Sequence, residues 1–226
     1  MLMPNATRPV ALITVDVQND FVVPGAPLAI AGTYQLIPQM VELVSAFRRA
    51  QQPVIHLVRL YLSDGSNAEA CRRDMIRDGT PIVRPGTAGA ELVAALQPSP
   101  AVQLHADQLL HGQVQTIGHE ECLIYKPRWG AFYHTPLEQV LRKKDIHSLV
   151  FCGCNFPNCP RASIYEASER DFDIIVVTDA VSALDAHGVS ELERIGVCLQ
   201  DAAATIAWQV SRRVLTGLPA PRMRKT

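Results

Sequence analysis

The chain has 226 residues, a formal net charge of −1 and 48% hydrophobic residues, a composition that supports a sizeable core in one domain spanning residues 1–226. Near-neutral charge gives no electrostatic footprint for nucleic acid or an anionic membrane, and no apolar run approaches the ~20 residues of a membrane span. The opening MLMPNATRPVALI lacks a basic segment leading into a long apolar run, and six scattered cysteines read as reduced thiols, so a cytoplasmic protein is expected.

In chain order, ALITVD (11–16) is an aliphatic, β-branched run that predicts a strand ending in an acid. YQLIPQMVELVSAFRRA (34–50) places Met40, Leu43, Val44 and Phe47 at helical spacing, and PVIHLV (53–58) predicts a second strand. Between Leu62 and Glu121 the turn signals SDGSN, RPGTAG and QPSP dominate, so residues 60–121 are expected to form a loop or helical excursion, with one helix at 88–96. CLIYK (122–126), SLVFCG (148–153) and DIIVVTD (173–179) predict the third to fifth strands, and TIAW (205–208) a short sixth. Helical patterns occupy 135–144, 160–171, 189–202 and 209–217. Apolar runs separated by helices point to an α/β fold whose mainly parallel sheet has helices on both sides.

Three reactive residues fall at strand ends or just beyond: Asp16 after the first strand, Lys126 after the third and Cys159 after the fourth. Open α/β sheets bind ligands beyond the carboxyl ends of their strands, so these three are expected to converge. A helix start and a nearby cation favour a thiolate at Cys159, and Pro160 suits the first helical turn. Asp16 would take the thiol proton and later activate water, while backbone N–H groups of the strand-to-helix turn would face an oxyanion.

Blander readings stand beside these. Cys159 as a buried structural thiol, Asp16 as a turn cap and Lys126 as a solvated lysine each need no chemistry. Cys154 competes as nucleophile, Cys152 reads as core, and Cys71, Cys122 and Cys198 read as packing residues. Cys152, Cys154, Cys159 and His147 lack the C-x₂-C pairing of a zinc site, so no metal is expected. Phe21, Trp129, Phe132 and Tyr133 divide between core and substrate pocket, with His134 a weaker substrate candidate. Gln18 and Asp20 are expected to steady Asp16 and Lys126, with Asp20 reading equally as a loop anchor and Gln18 also as a substrate candidate. His56 reads as a satisfied buried histidine, and Arg72, Arg73, Arg77 and Arg84 as a solvated face from which one arginine is available to a carboxylate.

The pieces DVQNDF (16–21), PGTAGAEL (85–92), KPRWGAF (126–132), GCNFPNC (153–159) and VVTDA (176–180) together resemble the isochorismatase-like cysteine hydrolases, the superfamily of nicotinamidase and N-carbamoylsarcosine amidase. The resemblance covers nearly the whole chain. It implies a Rossmann-like three-layer α/β/α fold with a sheet of about six strands. It also implies an Asp16-Lys126-Cys159 triad, a cis peptide between Cys154 and Asn155, and an oxyanion hole from the N–H groups of Asn155 and Cys159. The implied activity is hydrolysis of a non-peptide C–N bond in a small amide, carbamoyl or ureido substrate, without organic cofactor, in a homodimer or homotetramer. Two other readings come with the fold: vinyl ether hydrolysis of the isochorismatase type, against which the cysteine argues, and a non-catalytic small-molecule-binding relic. The chain departs from the commoner pattern at Phe156, where many members have Thr, and at Pro160, where many have Val. The Asp-x-His metal motif of nicotinamidases is replaced after the second strand by HLVRLYLSD.

Overall fold

Every residue of the strand β1 (Val10–Val15) is buried, because the strand lies at the middle of a sheet covered on both faces. The computed structural model describes residues 3–216. After β1 come α1 (Asn19–Val22), α2 (Ile37–Arg49), β2 (Val54–Val58), α3 (Ala70–Arg77), α4 (Ala106–Leu110), β3 (Gln115–Gly118) and β4 (Glu121–Tyr125). The second half holds α5 (Leu137–Lys143), β5 (Ser148–Gly153), α6 (Cys159–Ser168), β6 (Asp173–Val181), α7 (Ala186–Arg194), β7 (Cys198–Gln200) and α8 (Ala202–Thr216). The strands form one sheet in the order β3-β4-β2-β1-β5-β6-β7. All neighbours are parallel except the β3–β4 pair. The chain runs outward from β1 on one side and returns to β1's other edge with β5, so a switch in strand order lies between β1 and β5.

Successive strand side chains point to opposite faces, and β1 shows the consequence. Val10 and Leu12 join Met40, Leu43 and Phe47 of α2 in one apolar layer. Ala11, Ile13 and Val15 join Leu137 and Leu141 of α5, Ile164 of α6 and Leu192 of α7 in the other. Each fully buried aliphatic side chain contributes roughly 1.5–3 kcal/mol of transfer free energy. The continuous apolar strands are thus explained by two covered faces, and the α/β sandwich is as expected. Among the described residues no helix is long and apolar enough to cross a membrane.

Several expectations are corrected. TIAW (205–208) lies within α8 and is not a strand; Asp179 Oδ1 accepts the Ala202 N–H at 2.7 Å and Asp201 Oδ1 the Ala204 N–H at 2.7 Å, which starts a helix there. The predicted helix at 209–217 is the second half of α8, its last residue lying outside the described residues. The 189–202 pattern divides: α7 ends before Gly196, whose φ of 79° is the left-handed conformation of a helix stop, and Cys198–Gln200 then pairs with β6 as an edge strand. Residues 88–96 form two single turns instead of a helix, because their backbone pairs with the β1–α1 loop: Asn19 donates to Glu91 at 3.0 Å and Val93 to Val17 at 3.1 Å. The excursion also holds α3, α4 and β3, none of which sequence periodicity resolves.

His56 is a satisfied buried histidine. Its Nδ1 meets Thr14 Oγ1 at 2.7 Å and its Nε2 meets Glu121 Oε1 at 2.8 Å, while Arg48 grips the same carboxylate at 2.6 and 2.7 Å. Burial works against the Glu121 charge, but the bonds from Arg48 and His56 outweigh it and hold the carboxyl below its ordinary range.

Candidate active site

The carboxyl ends of β1, β2, β4 and β5 converge on one small cavity. Asp16 is the first residue past β1. Its N–H still donates to Leu57 at 3.0 Å, and its φ of 53° turns the carboxylate out of the ladder. Lys126 follows β4, with its N–H on Val58 O at 3.0 Å. Its ammonium has no exposure and meets Asp16 Oδ2 at 2.8 Å. The other carboxylate oxygen, Oδ1, is buried and has no hydrogen-bond partner.

The turn after β5 delivers the thiol. Gly153 has a φ of 122°, and a Cβ there would collide with the Val15 backbone. The close approach lets Cys154 N donate to Val15 O at 2.9 Å and fixes β5 beside the end of β1. The Cys154–Asn155 peptide is cis, as the resemblance implies. Asn158 precedes α6, which begins at Cys159 with Pro160 in its first turn. Neither the Asn155 nor the Cys159 backbone N–H has a backbone acceptor among the described residues.

All six cysteines are free thiols, and they are not alike. Cys159 is 7% exposed and lines the cavity with Asp16, Phe21, Ile30, Arg59, Tyr61, Arg72, Trp129, Cys154 and Asn155. Burial first, and the Asp16 charge second, push its thiol up to about 12, against the opposing pull of Lys126. Burial and the neighbouring carboxylate thus work against the thiolate that the helix start and the cation favour. Cys154 lies deeper, with its thiol 3.0 Å from Asp16 O, and burial puts it well above an ordinary thiol. Cys152 is a fully buried strand residue, likewise pushed up to about 12 by burial.

The cavity is tight: about 10 Å³ is open to a water-sized sphere, the room of about one water molecule and far below the ~300–1,000 Å³ of drug-sized ligand pockets. Phe21 and Trp129 line it as expected. Three expected substrate contacts do not. Gln18 is fully buried and its amide is committed elsewhere: Nε2 donates to Arg59 O and Ala90 O at 2.8 and 2.6 Å, and Oε1 accepts from Arg59 N at 2.7 Å. Phe132 belongs to the core, tilted against Phe172 with centroids 5.8 Å apart. Tyr133 is 49% exposed, with its ring edge-on to His134, and lines an adjoining surface groove that shares Trp129 with the cavity. Asp20 takes the loop-anchor reading, accepting the Val83 N–H at 2.6 Å, and the bonds of Gln18 and Asp20 go to these partners instead of Asp16 and Lys126.

Sequence reading missed Arg59 and Tyr61, which stand past β2 where metal-dependent relatives would need ligands. Arg59 is 2% exposed, donates to Lys126 O at 2.8 Å and to Tyr61 Oη at 2.9 Å, and forms an ion pair with Glu69. Burial opposes its charge, but Tyr61, Glu69 and Asp16 hold it protonated more firmly than usual. Burial likewise keeps the Tyr61 phenol protonated. A guanidinium and a phenol kept protonated offer no ligand to a divalent cation, so this end of β2 does not fit a metal. The available signal was positional: an arginine one residue past a predicted strand shares the end of the sheet that holds Asp16.

Phe156, the departure from Thr, is buried and seats its ring on Gly188 of α7, where any Cβ would meet it. Arg161 then ties α6 to α7 through both oxygens of Glu191, at 2.8 and 3.0 Å. Glu166 of α6 holds the loop after Lys126 by accepting the Phe132 N–H at 2.7 Å. The nucleophile turn is therefore packed between two rigid elements.

A model of the isochorismatase domain matches residues 10–194. The chain is 29% identical over 202 residues to a protein of Arabidopsis thaliana described as a "probable inactive nicotinamidase", covering 86% of this chain and 93% of that one. It is 27% identical over 205 residues to a ureidoacrylate amidohydrolase of Methylobacterium radiotolerans, covering 80% and 72%. An isochorismatase family protein from Desulfovibrio vulgaris superposes with a TM-score of 0.75 at 32% identity, over 88% of this chain and 96% of that one. N-carbamoylsarcosine amidase from Thermoplasma acidophilum shares the fold with a TM-score of 0.67 at 23% identity, over 86% and 96%.

Proposed function

The chain belongs to the isochorismatase family of hydrolases, and from that premise we propose that it is a cysteine hydrolase cleaving a non-peptide C–N bond of a small amide, carbamoyl or ureido compound. The observation that carries this reading is the Asp16 carboxylate: one oxygen is fixed on Lys126, and the other is buried and unpartnered beside the Cys159 thiol. A buried acceptor without a donor has one natural use here, to receive the thiol proton.

In this mechanism Cys159 Sγ forms a bond to the carbonyl carbon while its proton passes to Asp16 Oδ1. The Asn155 and Cys159 N–H groups, free of backbone acceptors, hold the resulting oxyanion. The C–N bond then breaks, and the leaving nitrogen takes the proton from Asp16. Water attacks the thioester, giving its proton to Asp16, and the thiol is re-formed as the acid leaves. Lys126 keeps Asp16 oriented and balances the charge that moves between carboxylate and sulfur. Burial and the Asp16 charge both disfavour a standing thiolate, so the proton passes to Asp16 as the carbonyl carbon accepts the electron pair. Homodimer or homotetramer assembly belongs to the same reading.

The test is ammonia release from a panel of small amides, carbamoyl compounds and ureides, with the wild type beside Cys159→Ala. Release that vanishes in the variant supports the reading. Release that survives Cys159→Ala, or is absent throughout the panel while Cys159 resists alkylation, overturns it.

A further inference from the structure

Arg72 stands out from the other charges around the cavity. Asp16 pairs with Lys126, and Arg59 pairs with Glu69. Arg72, in the first turn of α3, also lines the cavity, yet among the described residues no carboxylate stands within ion-pair distance of it. Its Nη1 is buried with no hydrogen-bond partner, and its guanidinium carbon lies 5.9 Å from the Phe21 ring centroid. Arg73 and Arg77 on the same helix bond the backbone carbonyls of Ala68 and Asp64, and although Arg73 Nε is also buried without a partner, neither residue lines the cavity. Leaving a buried donor of a charged group unsatisfied is costly, so a donor that also faces a cavity is open to a water, an ion or a ligand.

We infer that Arg72 receives a carboxylate of the substrate, so that the compound turned over is a small amide, carbamoyl or ureido acid and not a neutral amide. This deepens the proposed function and rests on it. A guanidinium presents paired N–H donors that match a carboxylate, and in a low-dielectric cavity the pair is discriminating. Phe21 supports the guanidinium from the side, as ring faces do for cations. Arg72 and Cys159 line the same cavity, so one small molecule can present its carboxylate to the first and its carbonyl to the second.

The test uses two alkylating agents of similar size, iodoacetate and iodoacetamide, which differ in the carboxylate. Rates at Cys159 are read at pH 9 by peptide mapping, which separates it from the exposed Cys71. Arg72→Gln is expected to slow iodoacetate about tenfold or more relative to iodoacetamide, the lower end of what a hydrogen bond to a charged group provides. Arg72→Lys is expected to keep part of the preference, and the unchanged iodoacetamide rate shows that the fold and the thiol are intact. Equal effects on both reagents, or none, overturn the carboxylate role and leave the nucleophile standing. A wild-type Cys159 that reacts with neither reagent, with no ammonia released from the panel, overturns the proposed function itself, and this inference with it.

Discussion

Replacing Asp16 by Asn is expected to make Cys159 more reactive toward an alkylating agent while abolishing turnover. The side chain keeps its shape and loses its charge, which is the second contribution, after burial, holding the thiol up at about 12. Two unit charges about 4 Å apart at an effective dielectric of ~20 interact by about 4 kcal/mol, an upper bound near three pKa units. Lys126 remains, and the thiolate takes the place of the lost carboxylate beside it. We expect the thiol to fall by roughly one to two units, which raises the thiolate fraction about ten- to a hundredfold at any pH below both values. Intrinsic nucleophilicity falls with basicity by a factor of about 0.4–0.5 on the logarithmic scale, so the net gain is about three- to tenfold. The assay is iodoacetamide modification of Cys159 between pH 7.5 and 9, followed by peptide mapping, with the same protein assayed for ammonia release. A folded Asp16→Asn protein whose Cys159 reacts at the wild-type rate or slower refutes the claim that the carboxylate keeps the thiol protonated.

The remaining predictions concern the scaffold. Gly153→Ala puts a methyl group against the Val15 backbone at a φ of 122°, and chemical denaturation should show a loss of about 2 kcal/mol or more. Gly188→Ala should be destabilising in the wild type, where its Cβ meets the Phe156 ring, and far milder in a Phe156→Ala background; additive losses in that double-mutant cycle would contradict the contact. Glu69→Gln leaves the buried Arg59 cation unpaired and should cost roughly 3–5 kcal/mol by urea unfolding at pH 7. Although burial raises it, Arg59 and Tyr61 hold the Glu69 carboxyl below its ordinary 4.5, so its contribution is present above pH 4.5 and is lost as pH falls through the lower folded value. The stability gap between wild type and Glu69→Gln should therefore narrow in acid, and a gap that widens there would contradict the assignment.

Much of the sheet was legible because five of its strands are buried on one or both faces and read as unbroken apolar runs. β1, β2, β4, β5 and β6 lie within a residue or two of the expected spans. β7 was not legible because three edge residues after a glycine stop have no periodicity of their own. TIAW misled because a four-residue apolar run fits a strand and a helix equally, and only the carboxylates of Asp179 and Asp201 decide the matter. The 88–96 segment has a helical composition, but tertiary pairing with the loop after β1 claims its backbone. At the site, the convergence of Asp16, Lys126 and Cys159 followed from strand ends alone. The state of the thiol did not, since it depends on how deeply the turn is buried, and neither did Arg59 and Arg72, whose roles depend on which neighbours are already paired.

The most direct test of the central claim is the mass of Cys159 during turnover. The wild type is mixed with whichever compound of the panel releases ammonia, quenched in acid and mapped by peptide mass. The account predicts an increment on the Cys159 peptide equal to the acyl part of the substrate, absent from Asp16→Asn and impossible in Cys159→Ala. Sustained release by the wild type with no increment on Cys159, together with a Cys159→Ala protein that still turns over, would contradict it.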